Sequence, residues 1–311
     1  MTQSMGEKTR FIMPELPEVE IVRRSLKPHV LGHRIVAIEA FWPKSLVASE
    51  AAMRAFNAMP ERRIHSLKRR GKLLLIELAA KSSGTPELIL AFHLKMTGQV
   101  LVKPDGEEPG KHTRVLLALI DERGAKSNIF FDDMRKFGFC RVMLPKELEE
   151  WGFWQNLGPE PLEISADEFT GCFCKPSPPK SKQEKSCKPE FRTGKIKNLL
   201  MDQHIIAGVG NIYADEALFR AGVKPDQHAN KISRARLKKL CEAVQEVLKL
   251  GIAAGGSSIR DYLDADGKAG AFQEEFQVYG KKGKPCPKCR RPLEHMKLAG
   301  RSTVYCPNCQ K

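Results

Sequence analysis

The sequence predicts a multidomain α+β protein, with a β-rich N-terminal part, a helical part and a small cysteine-bearing module at the end. Three observations support this prediction. Short apolar runs fill the first half of the chain, helical periodicity dominates residues 191–270, and two Cys-x-x-Cys pairs lie between Cys286 and Cys309. A chain of 311 residues is long enough to bury more than one core.

The N-terminal part is predicted to consist of antiparallel strands. Turn sequences such as KPDGEEPG and DERGAKSN separate runs rich in Leu, Ile, Val and Phe, which is typical of short paired strands. The runs are residues 73–78, 88–94, 115–120, 129–131 and 139–144. A sandwich or a barrel would accommodate them. A helix is expected before them, because Pro17 suits its first turn and Val19, Val22 and Leu26 share one face.

The helical part is predicted from apolar spacing. Ser233 is a suitable N-cap for a helix with an apolar stripe from Leu237 to Leu248. Residues 196–203 and 212–221 are predicted helices joined by a turn with Gly208 and Gly210. This turn lacks a third glycine and a preceding strand, so it does not match a dinucleotide-binding loop. We expect its backbone N–H groups to face a phosphate instead.

Residues 175–190 read as a linker. They contain four prolines and five lysines and almost nothing apolar, so they cannot bury enough surface to become ordered. We therefore expect domains at residues 13–160 and 191–270, an interdomain linker at 161–190, and a terminal module at 271–311.

The terminal cysteines have the spacing of a metal site. Of nine cysteines, four form the two Cys-x-x-Cys pairs, with 16 residues between the pairs. Disulfides are the alternative, but the first twelve residues carry no secretory signal, and a reducing compartment favours metal ligation. We predict one structural Zn²⁺ in a closed four-cysteine zinc ribbon that cannot activate water. Its ligands are Cys286, Cys289, Cys306 and Cys309.

The charge of the chain points to a polyanionic partner. The net charge is +15 and the pI is about 9.4, which favours nucleic acid. A basic housekeeping enzyme or a ribosome-associated protein is the alternative. The sequence contains no apolar stretch long enough for a transmembrane helix, so we expect no membrane partner and a cytoplasmic location, nucleoid-associated if the source is bacterial.

Four motifs resemble the formamidopyrimidine-DNA glycosylases, which excise oxidised purines such as 8-oxoguanine. They are MPELPEVE from Met13, LGPEP at 157–161, GVGNIYADE at 208–216 and FQVYGKKGKPC at 276–286. The resemblance runs from Met13 to Lys311, and the MPELPE start favours this branch over the related endonuclease VIII branch. It implies an N-terminal β-sandwich with flanking helices, a helix–two-turn–helix domain and the zinc ribbon. It also implies a monomer that acts on double-stranded DNA with oxidised bases or abasic sites.

The resemblance also implies a bifunctional glycosylase and lyase that works through its N-terminal proline. Pro14, once Met13 is removed, would attack the sugar and form a Schiff base, followed by β,δ-elimination. Glu15 would be the general acid/base, and Glu18 would support it. From the residues alone, both are first-turn carboxylates favoured by the helix dipole. Because an acylated Pro14 cannot attack, we expect residues 1–12 to be absent from the active protein.

The resemblance assigns the DNA contacts residue by residue. Lys72 would contact the phosphate beside the lesion and assist catalysis, and Arg301 would clamp phosphates and take part in δ-elimination. Met96, Arg135 and Phe137 would fill the gap left by the everted nucleotide, although core packing is the alternative for Met96 and Phe137. The remaining predicted phosphate contacts are His112, Arg192, Lys197 and Asn211.

Two departures leave other functions open. Residues 264–273 resemble the loop that closes over the damaged purine, but Ala269 and Ala271 differ from the residues common in the family. A preference for oxidised pyrimidines is therefore one alternative. A zinc-dependent DNA-binding protein without catalysis is the other, if residues 1–12 stay attached.

Overall fold

The computed structural model describes residues 13–59, 61–80, 84–175, 190–258 and 262–311. Its helices are α1 Leu16–Val30, α2 Glu50–Ala58, α3 Pro145–Glu150, α4 Gly152–Gln155, α5 Ala166–Cys172, α6 Ile196–Leu200, α7 Asn211–Arg220 and α8 Arg234–Ala253. Its strands are β1 Arg34–Ala40, β2 Leu46–Ala48, β3 Arg63–Arg70, β4 Leu73–Ala79, β5 Leu88–His93, β6 Gly98–Pro104, β7 Thr113–Ile120, β8 Lys126–Asp133, β9 Phe139–Met143, β10 Glu294–Leu298 and β11 Arg301–Tyr305. None of the helices in these ranges is long and apolar enough to span a membrane.

Strands β1 to β9 form one sheet that folds over on itself. The strand order is β2-β9-β5-β4-β3-β1-β7-β8-β6. The pairs are antiparallel except for β2 with β9. Strands β1 and β3 pair through Arg34 and Arg63. The rings of Phe92 on β5 and Phe131 on β8 lie 5.6 Å apart although these strands are not neighbours, so the two halves of the sheet face each other across a common core. The predicted antiparallel sandwich is confirmed, and it is built from one continuous sheet.

Helix α1 begins between the two large cores. Val19, Val22 and Leu26 pack into the sandwich, as predicted from their spacing. Leu16 packs into the helical core instead, and its N–H donates to the Gly208 carbonyl at 3.0 Å. The first turn of α1 is therefore fixed at the junction of the two domains.

The helical core contains residues from both sides of the predicted linker. Phe169 and Phe173 pack with the apolar face of α8. The N–H of Lys175 donates to the Glu190 carbonyl at 2.7 Å, and Cys174 pairs with Phe191. Residues 176–189 lie outside the described ranges, as do residues 1–12. The sequence placed a domain boundary at this segment, whereas the residues at both of its ends belong to one helical body.

The terminal ribbon packs against α7. Strands β10 and β11 form an antiparallel hairpin with Ala299 and Gly300 at positive φ in the turn. Phe219 of α7 lies in the same cluster as Cys286 and Cys306. The hairpin is thus attached to the helical domain at its base, and Arg301 begins its second strand.

Candidate active site

The first turn of α1 lies against the start of α7. Glu15 is 2% exposed, and its Oε1 accepts from the Ile212 N–H at 2.9 Å. Its Oε2 is buried without a hydrogen-bond partner among the described residues. A Cβ at Gly210 would collide with the Glu15 carboxyl group, so only glycine admits the carboxyl here. Pro14, also buried, is the adjacent residue.

Burial controls the ionisation of Glu15. Desolvation raises its pKa from 4.5 to about 7, Lys72 opposes this rise and Glu18 adds to it. Near neutral pH the carboxyl group is therefore distributed between its protonated and ionised forms. This is the property that a general acid or base requires.

Glu18 holds the Glu15 backbone in place. Its Oε2 accepts from the Glu15 N–H at 2.9 Å. Its Oε1 accepts from the Tyr213 hydroxyl at 2.8 Å and from Ser257, whose N–H lies at 2.8 Å and whose hydroxyl lies at 3.0 Å. These donors fix the carboxylate in one position, which fits the supporting role predicted for it.

Two backbone N–H groups at the glycine turn before α7 donate to side chains of the protein itself. The Gly208 N–H donates to the Gln203 Oε1 at 2.9 Å, and the Ile212 N–H donates to Glu15. The prediction that the turn presents its N–H groups to a phosphate is wrong for these two donors. The turn instead encloses the Glu15 carboxyl group.

Lys72 and Arg301 complete the cluster. Lys72 lies at the β3–β4 turn and is buried, which lowers its pKa; Arg301 lowers that pKa further, whereas Glu15 raises it. Arg301 is exposed at the start of β11. The structure therefore brings together three predicted residues that are distant in sequence, Glu15 and Lys72 from the N-terminal domain and Arg301 from the terminal ribbon.

Lys197 lies beneath the hairpin and is fully enclosed. Its ammonium lies 2.6 Å from the Asp215 Oδ1, and it donates to the Thr303 Oγ1 at 2.8 Å and the Ser302 carbonyl at 3.3 Å. A direct phosphate contact by this ammonium, as predicted, does not match this placement. The ion pair instead joins α6 to α7, and the hydrogen bonds of Lys197 to Thr303 and Ser302 join α6 to β11 beside Arg301.

Asn211 reinforces this connection. Its Nδ2 donates to the Ser302 carbonyl at 3.2 Å, while its Oδ1 is buried without a partner in the described part of the chain. As the first residue of α7, it lies between the glycine turn and the hairpin.

The three predicted inserting residues meet on two adjacent loops. The Arg135 Nη1 lies 3.1 Å from the Met96 Sδ, and the guanidinium lies 4.7 Å from the centre of the Phe137 ring. Phe137 is 53% exposed, so core packing does not explain it. Met96 is half-buried at the β5–β6 turn.

The other two predicted contacts differ in position. His112 precedes β7, and its carbonyl accepts from the Asp133 N–H at 2.9 Å, which places it beside the Arg135 loop. Arg192 lies beside Cys172 at the edge of the helical core, and its N–H donates to the Phe173 carbonyl at 2.8 Å. No contact in the described ranges joins Arg192 to Lys72 or Arg301.

His93 belongs to the site but was not selected from the sequence. It ends β5, is buried near Lys72 and Lys95, and its Nδ1 accepts from the Lys95 N–H at 3.0 Å. Burial, with help from the two lysines, lowers its pKa to about 3, so the ring is neutral. The available signal was a histidine at the end of a buried strand, three positions before Met96.

The four terminal cysteines converge on one point. Their sulfur atoms all lie within 4.8 Å of one another, with Cys289 and Cys306 sulfurs 3.5 Å apart and Cys286 and Cys309 sulfurs 3.9 Å apart. Tetrahedral Zn²⁺ with bonds of about 2.3 Å requires sulfur separations of about 3.8 Å. The donor set fits one structural zinc ion, as predicted.

Family models match all three parts of the chain. Residues 13–140 match the formamidopyrimidine-DNA glycosylase N-terminal domain, residues 157–262 match its H2TH domain, and residues 283–311 match the zinc finger found in FPG and IleRS. The chain belongs to the formamidopyrimidine-DNA glycosylase family. The enzyme class of this family, DNA glycosylase, is therefore that of the chain.

Relatives match this glycosylase over nearly its whole length. The formamidopyrimidine-DNA glycosylase of Desulfitobacterium hafniense is 42% identical over 96% of the chain and 100% of its own length. That of Nitratidesulfovibrio vulgaris is 36% identical with the same coverage. A solved Lactococcus lactis FPG variant in complex with Fapy-dG-containing DNA has a TM-score of 0.80 and 31% identity, covering 96% of this chain and all of that one. A complex of the Lactococcus lactis enzyme with abasic-site DNA has a TM-score of 0.79.

Proposed function

We propose that this glycosylase removes oxidised purines from double-stranded DNA in base-excision repair and then cleaves the strand as a lyase. The observation that supports this most directly is the buried Glu15 carboxyl group. It lies beside Pro14 with a pKa near 7, in the electrostatic field of Lys72. An acid/base group, an N-terminal amine and cations for phosphate are the parts that such a reaction needs.

In the proposed reaction the Pro14 amine is the nucleophile. Its nitrogen attacks the sugar C1′, the bond to the damaged base breaks, and the base leaves with the bonding electron pair. Glu15 supplies a proton to the opening sugar or the leaving group. The nitrogen loses its proton, the C1′–O4′ bond breaks with its electron pair going to O4′, and the nitrogen lone pair forms the C1′=N bond. Because the proline amine is secondary, the resulting adduct is an iminium ion that is cationic without a proton.

The iminium then drives strand cleavage. Its positive charge acidifies the C2′ hydrogen, and loss of that proton expels the 3′ phosphate by β-elimination. A second elimination, δ, releases the other phosphate and the sugar remnant. In this proposal, Lys72 and Arg301 bind the phosphates as their charge develops. Zinc, when bound, orders the hairpin that carries Arg301.

The damaged nucleotide must leave the helix before Pro14 can reach it. Met96, Arg135 and Phe137 then occupy the vacated space, with the Arg135 guanidinium suited to the orphaned base edge. His112, Arg192 and Asn211 remain proposed DNA contacts. We also propose that the protein acts as a monomer and in the cytoplasm.

Borohydride trapping tests the catalytic proposal. A chain that begins at Pro14, mixed with an 8-oxoguanine duplex and borohydride, should yield a covalent protein–DNA adduct. A chain that begins at Met1 and keeps residues 1–12 should yield none, because its Pro14 nitrogen is an amide. Absence of the adduct from the Pro14 chain would contradict the mechanism, and a lesion-free duplex is the matched control.

A preference for oxidised pyrimidines is a second candidate. One solved relative, wild-type Lactococcus lactis Fpg, forms a complex with DNA containing an oxidised pyrimidine, at 30% identity to this chain. A panel of duplexes with oxidised purines and pyrimidines separates the candidates. We expect faster excision of the purines; equal or faster excision of pyrimidines would favour the second candidate.

A further inference from the structure

The two loops that carry the inserting residues meet at a buried pair of side chains, Thr97 and Asp133. Thr97 follows Met96, and Asp133 ends β8 just before Arg135. The Thr97 hydroxyl donates to the Asp133 Oδ1, and both side chains are buried. The pair therefore joins the Met96 loop to the loop of residues 134–138.

The same pair binds the backbone of the second loop. The Arg135 N–H donates to the Thr97 Oγ1 at 3.1 Å and to the Asp133 Oδ1 at 3.2 Å. The Gly138 N–H donates to the Asp133 Oδ2 at 2.7 Å. The Asp133 carboxylate thus accepts hydrogen bonds from residues near both ends of the loop of residues 134–138.

Two further features fix the loop of residues 134–138: the close packing of Gly138 and the backbone hydrogen bonds of Asp133. A Cβ at Gly138 would lie 2.7 Å from the Phe131 ring and 3.0 Å from the His93 carbonyl, so the loop fits tightly against β5 and β8. The Asp133 N–H donates to the His112 carbonyl at 2.9 Å, and its carbonyl accepts from the Arg114 Nε at 2.7 Å. Asp133 is therefore bonded to three loops that carry predicted DNA contacts.

We propose that Thr97 and Asp133 are a positioning pair that makes the two inserting loops act as one unit. The inference rests on the proposed function, since it concerns how the damaged nucleotide is replaced in the helix. Hydrogen bonds to a buried carboxylate are strong in a low-dielectric interior, and they order the loops before DNA arrives. Ordered loops spare the entropy loss that insertion would otherwise impose.

This role predicts an effect on nucleotide eversion that exceeds the effect on chemistry. Thr97→Val removes the hydroxyl group and keeps the side-chain shape. Single-turnover excision from an 8-oxoguanine duplex should slow by about tenfold, the scale of a lost hydrogen bond to a charged group. Cleavage of a duplex with an abasic site, which has no base to unstack, should slow by less than about twofold on the same reasoning.

Two variants serve as controls. Thr97→Ser retains the hydroxyl and should restore the ratio of the two rates. Thr170→Val removes another buried hydroxyl, which donates to the Ala166 carbonyl at 2.8 Å in α5, and should leave the ratio unchanged. Equal slowing on both substrates by Thr97→Val, or failure of Thr97→Ser to restore the ratio, would overturn the proposal.

A measurement on the unaltered protein covers the case in which Thr97→Val does not fold. The Arg135 and Gly138 amides should exchange with solvent deuterium slowly in the absence of DNA, because both donate within the pair's network. Exchange as fast as that of an unstructured peptide would overturn the proposal. Failure of the proposed function looks different, since the unaltered protein would then cleave neither DNA substrate.

Discussion

At the scale of residues, Glu15 makes the proposed reaction sensitive to pH. Its carboxyl pKa is raised from 4.5 to about 7 by burial, so it is protonated below that pH and ionised above it. If it acts as the acid, excision should fall as the pH rises through about 7. The Pro14 amine, with a reference pKa of about 8, must be neutral to attack, so its protonation should slow the reaction at low pH.

One substitution tests whether the decline of the excision rate at high pH is due to Glu15. Glu15→Gln should lower the maximal rate of excision by about 10² or more, the typical contribution of a general acid. It should also remove the decline at high pH, leaving a rate that only increases with pH. Single-turnover rates between about pH 5.5 and 9 measure this. A decline that persists in the Gln variant would assign the ionisation to another group.

At the scale of elements, the zinc ribbon illustrates how a non-catalytic structure can control a reaction. The hairpin β10–β11 contributes Val304 to a small core that also contains Cys286, Cys306 and Phe219 of α7. Zinc binding in comparable peptides is worth about 10–16 kcal/mol, which is enough to decide whether such a hairpin is ordered. We therefore expect the metal to determine whether Arg301 reaches the site.

Removing zinc should abolish the function of the protein and leave the sandwich domain folded. A strong chelator should abolish DNA binding and excision together, while the sandwich keeps its β-sheet circular dichroism signal, since its core contains none of the four predicted zinc ligands. Arg301→Ala should impair function but leave one zinc per chain by metal analysis. Full excision by metal-free protein would show that the hairpin does not deliver Arg301.

The strands show which local sequence signals are sufficient to predict secondary structure. Strands β4 and β5 are buried along their whole length, and their apolar runs, interrupted in β4 only by Glu77, predicted them correctly. Strand β3 was missed because Ile64 and Leu67, its two buried residues, are separated by three positions. A register shift between Ile64 and Ser66 breaks the alternation that identifies a strand.

At the scale of the whole molecule, the site is an assembly that local pattern cannot specify. Pro14 and Glu15 lie far in sequence from Lys72 in the N-terminal domain, and Arg301 lies in the terminal ribbon. Only motif resemblance related these residues before the fold was known. Burial changed the assignment of Lys197, because a lysine that reads as a cationic surface residue proved to be paired with Asp215. No local pattern indicated that Thr97 and Asp133 would meet.

The salt dependence of DNA binding tests this assembly as a unit. With a net charge of +15 and about five phosphate contacts, log K should fall with log salt with a slope of about −4 to −5. Arg301→Ala removes a phosphate contact, so its slope should be shallower by about one. A slope near zero in the unaltered protein would contradict a DNA-binding basic face.

Lys197→Met provides the contrast, because it removes a cation that is buried rather than facing DNA. Breaking a buried ion pair leaves Asp215 unpaired and costs about 3–5 kcal/mol of stability, and the hairpin loses its attachment to α6. Affinity should therefore decrease at every salt concentration while the slope stays that of the unaltered protein. Titrations of one duplex at several salt concentrations measure both quantities. A slope reduced by about one would show that Lys197 neutralises a phosphate after all and that the hairpin shifts when DNA binds.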